Sequence, residues 1–527
     1  MHATENTTVK RMPAVAAGIV AGAAALGAGE LVGGLRENWQ SPVVGVAEAV
    51  IERVPRSVKD FGVERFGTND KLALVVGILV FSVIFAAVLG LIARRRPLIG
   101  AAGFVAFALV GVWGSQQPVS APLTAVLPSL MAGAAGVATL RFLLQRADAP
   151  TARETAAVHN TAAPTPDSVS MPERRVFVLS AAGFALVAGA AAAGGRALRT
   201  RFSAASSRNA VTLPAPATSL PPAPAAVGVN TPGVSSFFTP NADFYRIDTA
   251  VEVPQIRTDE WELRIHGMVD KELRLSYDDL LRRSVVEEDI TLTCVSNTVG
   301  GDLLGTARWL GVPLRDLLNE AGVQAGADQL VGRSIDGWTS GLPLDAIDGR
   351  PALLAIGMNG EPLPLEHGFP ARVIVSGLYG YVSATKWITE LEVTTFDSFD
   401  AYWATRGWDQ QAPIKTMARI DTPRTLAKVK PGTVAIGGVA WAQTVGISKV
   451  EVKIDGGEFV EAILADQQNV NTWRLWSVQW QDATPGRHRI TVRATDADGN
   501  VQTEDRADPF PNGASGWMSI FIDVTDA

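Results

Sequence analysis

Long apolar runs fill the first two hundred residues of this chain, and shorter runs of alternating polarity fill the remainder. The long runs lie at about 13–35, 72–93, 98–114, 121–143 and 176–193. Each is close to the roughly 20 residues that a helix needs to cross a bilayer. The pattern predicts a four-helix transmembrane region at residues 1–146 and a fifth transmembrane helix at residues 174–196.

Two segments rich in Ala, Pro, Ser and Thr interrupt the chain, at residues 147–173 and 197–236. The second contains Pro214-Ala-Pro216 and Pro221-Pro-Ala-Pro224. Such compositions bury little apolar surface and favour extended backbone. We therefore predict two linkers, and we expect the second to be an extended tether with no core of its own.

The hydrophobic periodicity changes at Phe237 and predicts a mixed α+β domain at residues 237–414. Helices are predicted at Tyr277–Arg282 and at Trp309–Leu318, an amphipathic stretch that contains a helix-starting proline. Strands are predicted from alternating or continuous apolar runs at Trp261–Gly267, Asp289–Cys294, Ala371–Ser376 and Lys386–Val393.

Residues 415–527 show short strand patterns separated by turn sequences such as Asp455-Gly456-Gly457. This spacing predicts an all-β immunoglobulin-like sandwich. The predicted strands are Thr433–Trp441, Lys449–Ile454, Glu458–Leu464, Arg474–Trp480, His488–Thr495 and Ser519–Val524. The expected fold is therefore multi-domain, with a helical membrane bundle, an α+β domain and a β-sandwich.

Basic residues indicate how the bundle lies in a membrane. Lys10-Arg11 and Arg94–Arg96 would both be cytoplasmic if the N-terminus is inside. The fifth helix then crosses outward, which predicts a multi-pass cell-membrane protein whose soluble part is extracytoplasmic. Glu173-Arg174-Arg175 before this helix is either an internal twin-arginine export signal or a plain positively charged flank, and the sequence leaves both open.

Composition excludes several classes of function. The net charge of −7 argues against nucleic acid as a partner, because binding phosphates needs a basic stripe. None of the five histidines lies in an apolar run, so paired-histidine haem ligation inside the bundle is excluded. The cleanest helices also lack mid-span charges, which disfavours a transport pathway. The bundle is predicted to be an anchor or a docking surface.

The chain has one cysteine, Cys294, so intrachain disulfides and multi-cysteine metal sites are excluded. A lone cysteine after a β-rich run is either a buried small apolar residue or one specific ligand. Sequence pattern alone leaves both interpretations open, and the motifs around Cys294 decide between them.

Five short motifs follow one another through residues 237–414. They are Phe244-Tyr-Arg-Ile-Asp248, Thr293-Cys-Val-Ser-Asn297, Trp309-Leu-Gly-Val-Pro-Leu314, Leu365-Glu-His-Gly-Phe-Pro-Ala-Arg372 and Ser383-Ala-Thr-Lys-Trp387. Their order and spacing, with a predicted sandwich behind them, resemble the bacterial, membrane-anchored branch of the sulfite oxidase family of molybdopterin-dependent oxidoreductases. The resemblance covers just over half of the chain.

This resemblance implies a molybdenum–molybdopterin cofactor whose metal takes one protein thiolate. Cys294 would then be the metal ligand and a catalytic residue. Arg246 is implied as a cofactor contact that also lines the anion pocket, and so as a second catalytic residue. The other implied contacts to the pterin and its phosphate are Asn241, Phe244, Tyr245, Asp248, Asn297, Ser334, His367, Arg372, Ser383, Ala384, Thr385 and Lys386.

The chain departs from the family pattern at positions that matter for substrate. Thr298 and Val299 stand where sulfite oxidases carry arginine, and Trp408, with Arg406 nearby, falls near their active-site tyrosine. Loss of a cation weakens binding of a dianion, since a charge-assisted hydrogen bond contributes roughly 1.5–3 kcal/mol. Oxygen-atom transfer on a small sulfur compound is expected, with sulfoxide reduction favoured and sulfite oxidation as the alternative.

The resemblance also implies partners. The chain carries no haem or iron–sulfur motif, so electrons would pass through a separate cytochrome or quinone-linked protein. The sandwich of the family is a dimerisation domain, which implies a homodimer here. The competing interpretation from another class is a cofactor-free surface binding protein. The set Cys294, His367, Arg372 and Lys386 argues against it, because adhesion does not need these residues.

Overall fold

The computed structural model of the protein describes residues 2–55, 70–117, 121–147 and 173–526, together with residues 58, 61–62 and 65–66. The predicted linker at residues 147–173 lies almost entirely outside the described residues. The chain divides into two compact units. One comprises Met1–Ser203 with Thr249–Glu252, and the other comprises Ala204–Asp248 with Val253–Ala527.

The first unit is helical. Within the described residues, five helices are long and apolar enough to cross a membrane: Met12–Gly33, Asp70–Arg95, Pro97–Ser115, Leu123–Arg146 and Arg175–Ala210. They correspond to the five predicted apolar runs. The α-helices of this unit are α1 His2–Gly33, α2 Pro42–Arg53, α3 Asp70–Arg95, α4 Pro97–Ser115, α5 Leu127–Ala147 and α6 Glu173–Arg199.

The sequence reasoning missed helix α2, which lies between the first two predicted apolar runs. Ser41 caps it, because its hydroxyl oxygen accepts a hydrogen bond from Val43 N at 3.3 Å, and Pro42 occupies the first helical position. A serine followed by proline is a recognised helix start. The helix was overlooked because Pro42–Arg53 is too short to span a bilayer and too mixed in polarity to stand out.

The second unit begins with the short helix α7 Ala205–Ala210 and continues into the α+β domain. The helices of this domain are α8 Tyr277–Leu281, α9 Leu314–Ala321 and α10 Gly380–Ser383. Its strands are β1 Glu262–Gly267, β2 Leu273–Ser276, β3 Val286–Thr293, β4 Leu304–Pro313, β5 Gln329–Ser334, β6 Thr339–Pro343, β7 Ala352–Met358, β8 Glu361–Pro362, β9 Arg372–Val375 and β10 Ile388–Thr394.

These strands form two sheets. One has the order β2-β1-β10-β5-β6, and the other has the order β3-β4-β7-β8 with β9 also paired to β7. The first sheet brings distant segments together, because β10 follows the Ser383–Trp387 motif and pairs with β5, which ends at Ser334. Burial of every residue of β7 places this strand in the core.

The predicted helix at Trp309–Leu318 is wrong in its first half. Trp309 to Pro313 belong to β4, which pairs with β3 on one side and β7 on the other. A strand buried on both faces has a continuous apolar run, which periodicity alone does not distinguish from a helix. The helix begins after Pro313, and α9 buries Leu314, Leu317, Leu318 and Ala321 on one face.

The C-terminal part is all β, as predicted. Its sheets have the orders β11-β13-β17-β16 and β12-β19-β18-β14-β15. The core between them includes Trp476, Ile490 and Ile522. The strands are β11 Met417–Thr422, β12 Lys428–Val429, β13 Gly432–Trp441, β14 Ile447–Ile454, β15 Phe459–Glu461, β16 Ile463–Leu464, β17 Arg474–Ala483, β18 Gly486–Asp496 and β19 Met518–Val524.

The tether predicted at residues 197–236 begins in helix, because α6 ends at Arg199 and α7 spans Ala205–Ala210. Residues 211–236 contain no α-helix or strand, and they are docked on the second unit rather than free. Val227 is 5 % exposed and joins the main core. Arg308 donates hydrogen bonds to the carbonyl oxygens of Leu220 and Pro221, at 3.1 and 2.8 Å. The expectation that this segment has no share in a core is therefore incorrect, because its few apolar residues pack against a surface that the composition could not reveal.

Candidate active site

The loop after β3 holds Cys294 in a fixed turn. Cys294 N donates to the carbonyl of Leu303 at 2.9 Å, and Asn297 N donates to the carbonyl of Cys294 at 3.0 Å. The side chain of Asn297 closes the loop, because its Oδ1 accepts from Leu303 N at 3.0 Å. Cys294 is a buried free thiol. The sequence thus places one sulfur at the end of a core strand.

Burial raises the pKa of the Cys294 thiol, while hydrogen bonds from Ser296 and the charge of Lys386 oppose that rise. Tyr245 also lies close, since burial and then Cys294 raise the pKa of its phenol, which Arg372 lowers. The Tyr245 side chain is therefore protonated and able to donate a hydrogen bond at neutral pH.

Two cations share one carboxylate beside the thiol. Lys386 Nζ and Arg246 Nε each donate to Asp248 Oδ2 at 2.7 Å. The Asp248 and Lys386 side chains are 5 % and 11 % exposed. Burial lowers the pKa of Lys386 to about 8, and Asp248 limits the drop. The structure thus joins the motif at 244–248 to the motif at 383–387.

His367 is buried and neutral. It ends a short 3₁₀ turn, and its Nε2 lies 3.1 Å from the main-chain carbonyl of Asn241. Burial and then Arg372 lower the pKa of His367 to about 4. The next residue, Gly368, has φ +108°, and a Cβ there would lie 3.1 Å from Lys386 Cα. Glycine is therefore required at this close approach.

Arg372 is the most deeply buried cation of the site, at 5 % exposed. It begins β9, and its guanidinium donates to the carbonyls of His367 at 3.0 Å and Ala384 at 3.3 Å. The guanidinium also lies over the ring of Trp309, 5.3 Å from its centroid. Burial lowers the pKa of Arg372 to about 10, so it remains charged at neutral pH.

Several buried polar atoms of this region lack a hydrogen-bond partner among the described residues. They are Thr293 Oγ1, Asn297 Nδ2, Ser334 Oγ and Arg372 Nε. An unsatisfied buried polar group costs about 1–3 kcal/mol, so a cluster of them indicates a ligand that completes their bonds. Asn297 Nδ2 and Arg372 Nε are donors only, and the two hydroxyl groups can also donate, which indicates a ligand rich in acceptors.

Comparison with known proteins agrees with this chemistry. Residues 250–403 match the oxidoreductase molybdopterin binding domain, and residues 417–492 match a bacterial Ig domain. The uncharacterized oxidoreductase YuiH of Bacillus subtilis is 34% identical over 149 residues, which cover 28% of this chain and 72% of that protein. The chain belongs to the sulfite oxidase family of molybdopterin oxidoreductases.

Other relatives extend the match. Mitochondrial sulfite oxidase of Macaca fascicularis is 30% identical over 321 residues, covering 51% of this chain and 58% of that protein. The chain thus spans somewhat under two thirds of the length of such relatives. The sulfane dehydrogenase SoxCD of Paracoccus pantotrophus superposes with a TM-score of 0.49 at 21% identity, over 56% of this chain and 85% of that one.

The cofactor of this sulfite oxidase family chain is molybdopterin with its molybdenum, and the residues fit it. A thiolate is a soft ligand that suits a metal otherwise held by dithiolene sulfur. The buried cations Arg372 and Lys386 match a phosphate-bearing group, and the unsatisfied donors match the hydrogen-bonding edge of a pterin. The interpretation of Cys294 as plain apolar packing does not explain these neighbours.

Three predicted cofactor contacts have side chains that already bond within the protein. Asn241 Nδ2 donates to the Met358 carbonyl and to Glu361, and its Oδ1 accepts from Asn359. Ser383 Oγ donates to two main-chain carbonyls, and Thr385 Oγ1 bonds Ser340 Oγ at 2.5 Å. Their side chains hold the loop in shape, while the backbone of the segment, including Ala384, stays close to Arg372.

Phe244 has a packing role in the structure. Its ring is buried and contacts the rings of Tyr245, Trp309 and His367, with centroids 5.4 to 5.8 Å away. It therefore supports Tyr245, which lies near the thiol, and the buried ring of His367. Ser334, in contrast, leaves its buried hydroxyl unsatisfied at the end of β5, opposite Ile388 in the register.

Sequence reasoning missed several residues near the thiol. Ser296 could have been found, since it lies two positions after Cys294 in the same motif. Tyr379 lies in none of the five motifs. Burial raises its pKa to about 12, and the nearby Cys294 adds to the rise. The loop of the sandwich that contacts Tyr379 gave no signal either, because its proximity depends on how two domains pack.

Proposed function

We propose that this protein is a membrane-anchored molybdenum oxidoreductase that transfers an oxygen atom on a small sulfur-containing substrate outside the cytoplasmic membrane. The observation that carries the proposal is the buried lone thiol of Cys294, next to Tyr245 and Lys386 and on the same loop as the unsatisfied Asn297 amide. Such a set has no use in adhesion, whereas a cofactor with one protein thiolate requires it.

Each residue has a definite task in this proposal. Cys294 binds molybdenum through its thiolate, and Ser296 donates to the sulfur and so tunes its charge. Arg372 and Lys386 hold the phosphate end, while Asn297, Ser334 and neutral His367 contact the pterin. Tyr245 and Arg246 would line the substrate pocket, where the protonated phenol would donate a hydrogen bond to the substrate. When bound, molybdenum supplies two-electron oxygen-atom transfer.

The favoured direction is reduction of a sulfoxide. The sulfur–oxygen bond breaks, the substrate takes up two electrons and two protons, and a sulfide and water leave. Arg246, the arginine expected in an anion pocket, is paired with Asp248 at 2.7 Å. A carboxylate partner reduces the positive potential available to a dianion. This pairing supports a neutral substrate, with sulfite oxidation as the alternative.

The electrons come from a separate cytochrome or quinone-linked protein, because the chain has no motif for a second redox centre. We further propose that the five apolar helices anchor the chain in a lipid bilayer and that the catalytic unit lies on the outer side. Trypsin added to sealed right-side-out vesicles is expected to digest residues 204–527, and full protection would contradict this orientation.

We also propose that the chain forms a homodimer through its immunoglobulin-like sandwich. Val460 and Ile463 are 58 % and 73 % exposed on its edge strands β15 and β16. Exposed apolar side chains on strand edges are typical of association surfaces. Light scattering of the detergent-solubilised chain is expected to give the mass of a dimer after correction for detergent, and a monomer would refute this point.

The test of the proposed function uses the full chain, produced with cofactor supply and purified in detergent. We expect near-stoichiometric molybdenum by mass spectrometry, and turnover of sulfoxides with a reduced dye as electron donor. Rapid sulfite oxidation with an electron-accepting dye and no sulfoxide turnover would establish the alternative substrate. A folded, molybdenum-free chain under the same cofactor supply would contradict the proposal that the chain is a molybdenum oxidoreductase.

A further inference from the structure

The loop at residues 497–517, between β18 and β19 of the sandwich, reaches the α+β domain. The ring of Phe510 meets Trp408 edge-on, with centroids 5.4 Å apart at an interplanar angle of 83°. Next to this contact, Asp409 N donates to the carbonyl of Pro511 at 3.1 Å. The loop is therefore fixed against the other domain at the position where the sequence placed Trp408 close to the active site.

A second set of contacts fixes the same loop further along. Lys415 Nζ donates to Asn512 Oδ1 at 2.9 Å and to the carbonyl of Gly513 at 2.6 Å. Gly513 has φ +94°, and a Cβ there would lie 2.4 Å from the Tyr379 hydroxyl oxygen. The loop backbone is thus in direct contact with Tyr379, and any larger residue at 513 would clash.

Tyr379 connects this loop to the thiol. It precedes α10, whose first residue, Gly380, lies beside the Thr293 carbonyl and the Tyr245 hydroxyl. Thr293 is the neighbour of Cys294 in sequence. Tyr379 therefore contacts the sandwich loop, and the residue that follows it lies beside Thr293 and Tyr245.

Four aromatic rings meet here, and we name them the aromatic wall: Tyr381, Trp403, Trp408 and Phe510. Trp408 is central, with ring centroids 5.8 Å from Tyr381 and 6.1 Å from Trp403 in addition to its contact with Phe510. All four side chains are half-buried, so part of each ring still faces solvent. Phe510 comes from the sandwich and the other three from the α+β domain.

The surface of the wall is made of rings, and the nearby cations are bound to protein groups. Lys415 donates to the neutral oxygens of Asn512 and Gly513, and the Arg406 guanidinium lies over the ring of Tyr402, which in turn meets Trp403. Aromatic faces carry negative electrostatic potential, which disfavours anions, and their large apolar area favours contact with apolar groups. We therefore expect a wall of this composition to select substrates by apolar contact rather than by charge.

We propose that the aromatic wall is the specificity element of the site, with Phe510 as a residue that the immunoglobulin-like domain contributes to substrate binding. The preferred substrate is an uncharged organic sulfoxide that carries an apolar or aromatic group. This inference rests on the proposed function for its reaction, but the binding of an apolar sulfur compound to the wall does not depend on turnover.

The test compares the cofactor-loaded full chain in detergent with Phe510→Ala and with Phe521→Ala. Phe521 lies on β19 of the same sandwich, is 47 % exposed and has no part in the wall. Binding of methyl phenyl sulfone, which is not reduced under these conditions, is measured by calorimetry. Turnover of methyl phenyl sulfoxide and dimethyl sulfoxide is measured with a reduced dye.

Phe510→Ala is expected to raise the Kd for the sulfone and the KM for methyl phenyl sulfoxide by about tenfold, with a smaller effect on kcat and on dimethyl sulfoxide. Phe510→Leu should recover part of the binding, and Phe521→Ala should match the unchanged chain. Equal sulfone affinity in all variants would overturn the proposal that the aromatic wall binds the substrate. A chain that binds the sulfone through Phe510 but reduces no sulfoxide would overturn the proposed reaction instead.

Discussion

His367 Nε2 lies 3.1 Å from the main-chain carbonyl oxygen of Asn241. A carbonyl oxygen only accepts hydrogen bonds, so Nε2 must carry the proton and Nδ1 of the neutral ring is an acceptor. The ring therefore offers one fixed tautomer to the site. This contact also joins two segments that are far apart in sequence, and burial of the neutral ring makes the stability of the fold sensitive to acid.

Acid is expected to destabilise the folded protein through His367. The pKa of His367 is about 4 in the folded protein against 6.5 for the ordinary side chain. The unfolded chain therefore binds the proton first as the pH falls. The contribution of His367 to the free energy of unfolding is complete above pH 6.5 and is lost toward pH 4, by about 3 kcal/mol.

Urea unfolding of the cofactor-free chain followed by tryptophan fluorescence measures this loss, since eleven of the thirteen tryptophans lie in residues 204–527. His367→Gln should flatten the dependence between pH 4 and 6.5. His488→Gln is the control with the opposite sign, because Asp455 raises the pKa of His488. An unchanged pH dependence of the free energy of unfolding in His367→Gln would show that His367 is not the responsible group.

Substitution of Cys294 by serine is expected to abolish oxygen transfer while the fold persists. The oxygen of serine is a harder and less acidic ligand than a thiolate, so the metal loses its protein bond. The buried side chain changes little in volume, so thermal unfolding should shift by only a few degrees. Full activity of the variant at normal molybdenum content would refute the role of Cys294.

Asp248→Asn should weaken cofactor binding, although Asp248 is not the proposed metal ligand. The change leaves Lys386 buried without its carboxylate partner, which costs about 3 kcal/mol in the cofactor-free protein. We expect lower cofactor retention as well, measured by molybdenum content after dialysis. The exposed carboxylate of Asp243 provides the control, because Asp243→Asn lies in the same segment and should change neither quantity. Equal stability of the two variants would contradict the paired arrangement.

The docked segment gives a prediction about boundaries. A soluble fragment of residues 204–527 should be more stable than one of residues 237–527 by about 3 kcal/mol or more, because the shorter fragment loses the buried Val227 and the contacts to Arg308. Urea unfolding of both fragments measures the difference. Equal midpoints would show that the segment adds no stability.

The sequence predicted much of this molecule because the features concerned are local. Alternation in Glu262–Gly267 and turn signals such as Asp455-Gly456-Gly457 depend on near neighbours alone. The motif residues His367, Arg372 and Lys386 were also expected, and the structure places them together. The function of each in binding the cofactor stays a prediction.

What the sequence could not give depends on packing between distant segments. Trp309 lies in a strand because β3 and β7 flank it, and no property of its own run records those neighbours. The amide of Asn241, a predicted cofactor contact, bonds Glu361 and Asn359, and its sequence neighbourhood does not record partners so far along the chain. The contact of Phe510 with Trp408 joins positions about one hundred residues apart.

That contact limits how this enzyme could be recombined with its relatives. The match to the bacterial Ig domain ends at residue 492, before the loop that carries Phe510. An exchange at the apparent domain border would remove the ring of Phe510 from Trp408 and the partners of Lys415 at Asn512 and Gly513. A structural unit therefore crosses the border between the two folds, and a chimera that preserves it must carry the loop and the α+β domain together.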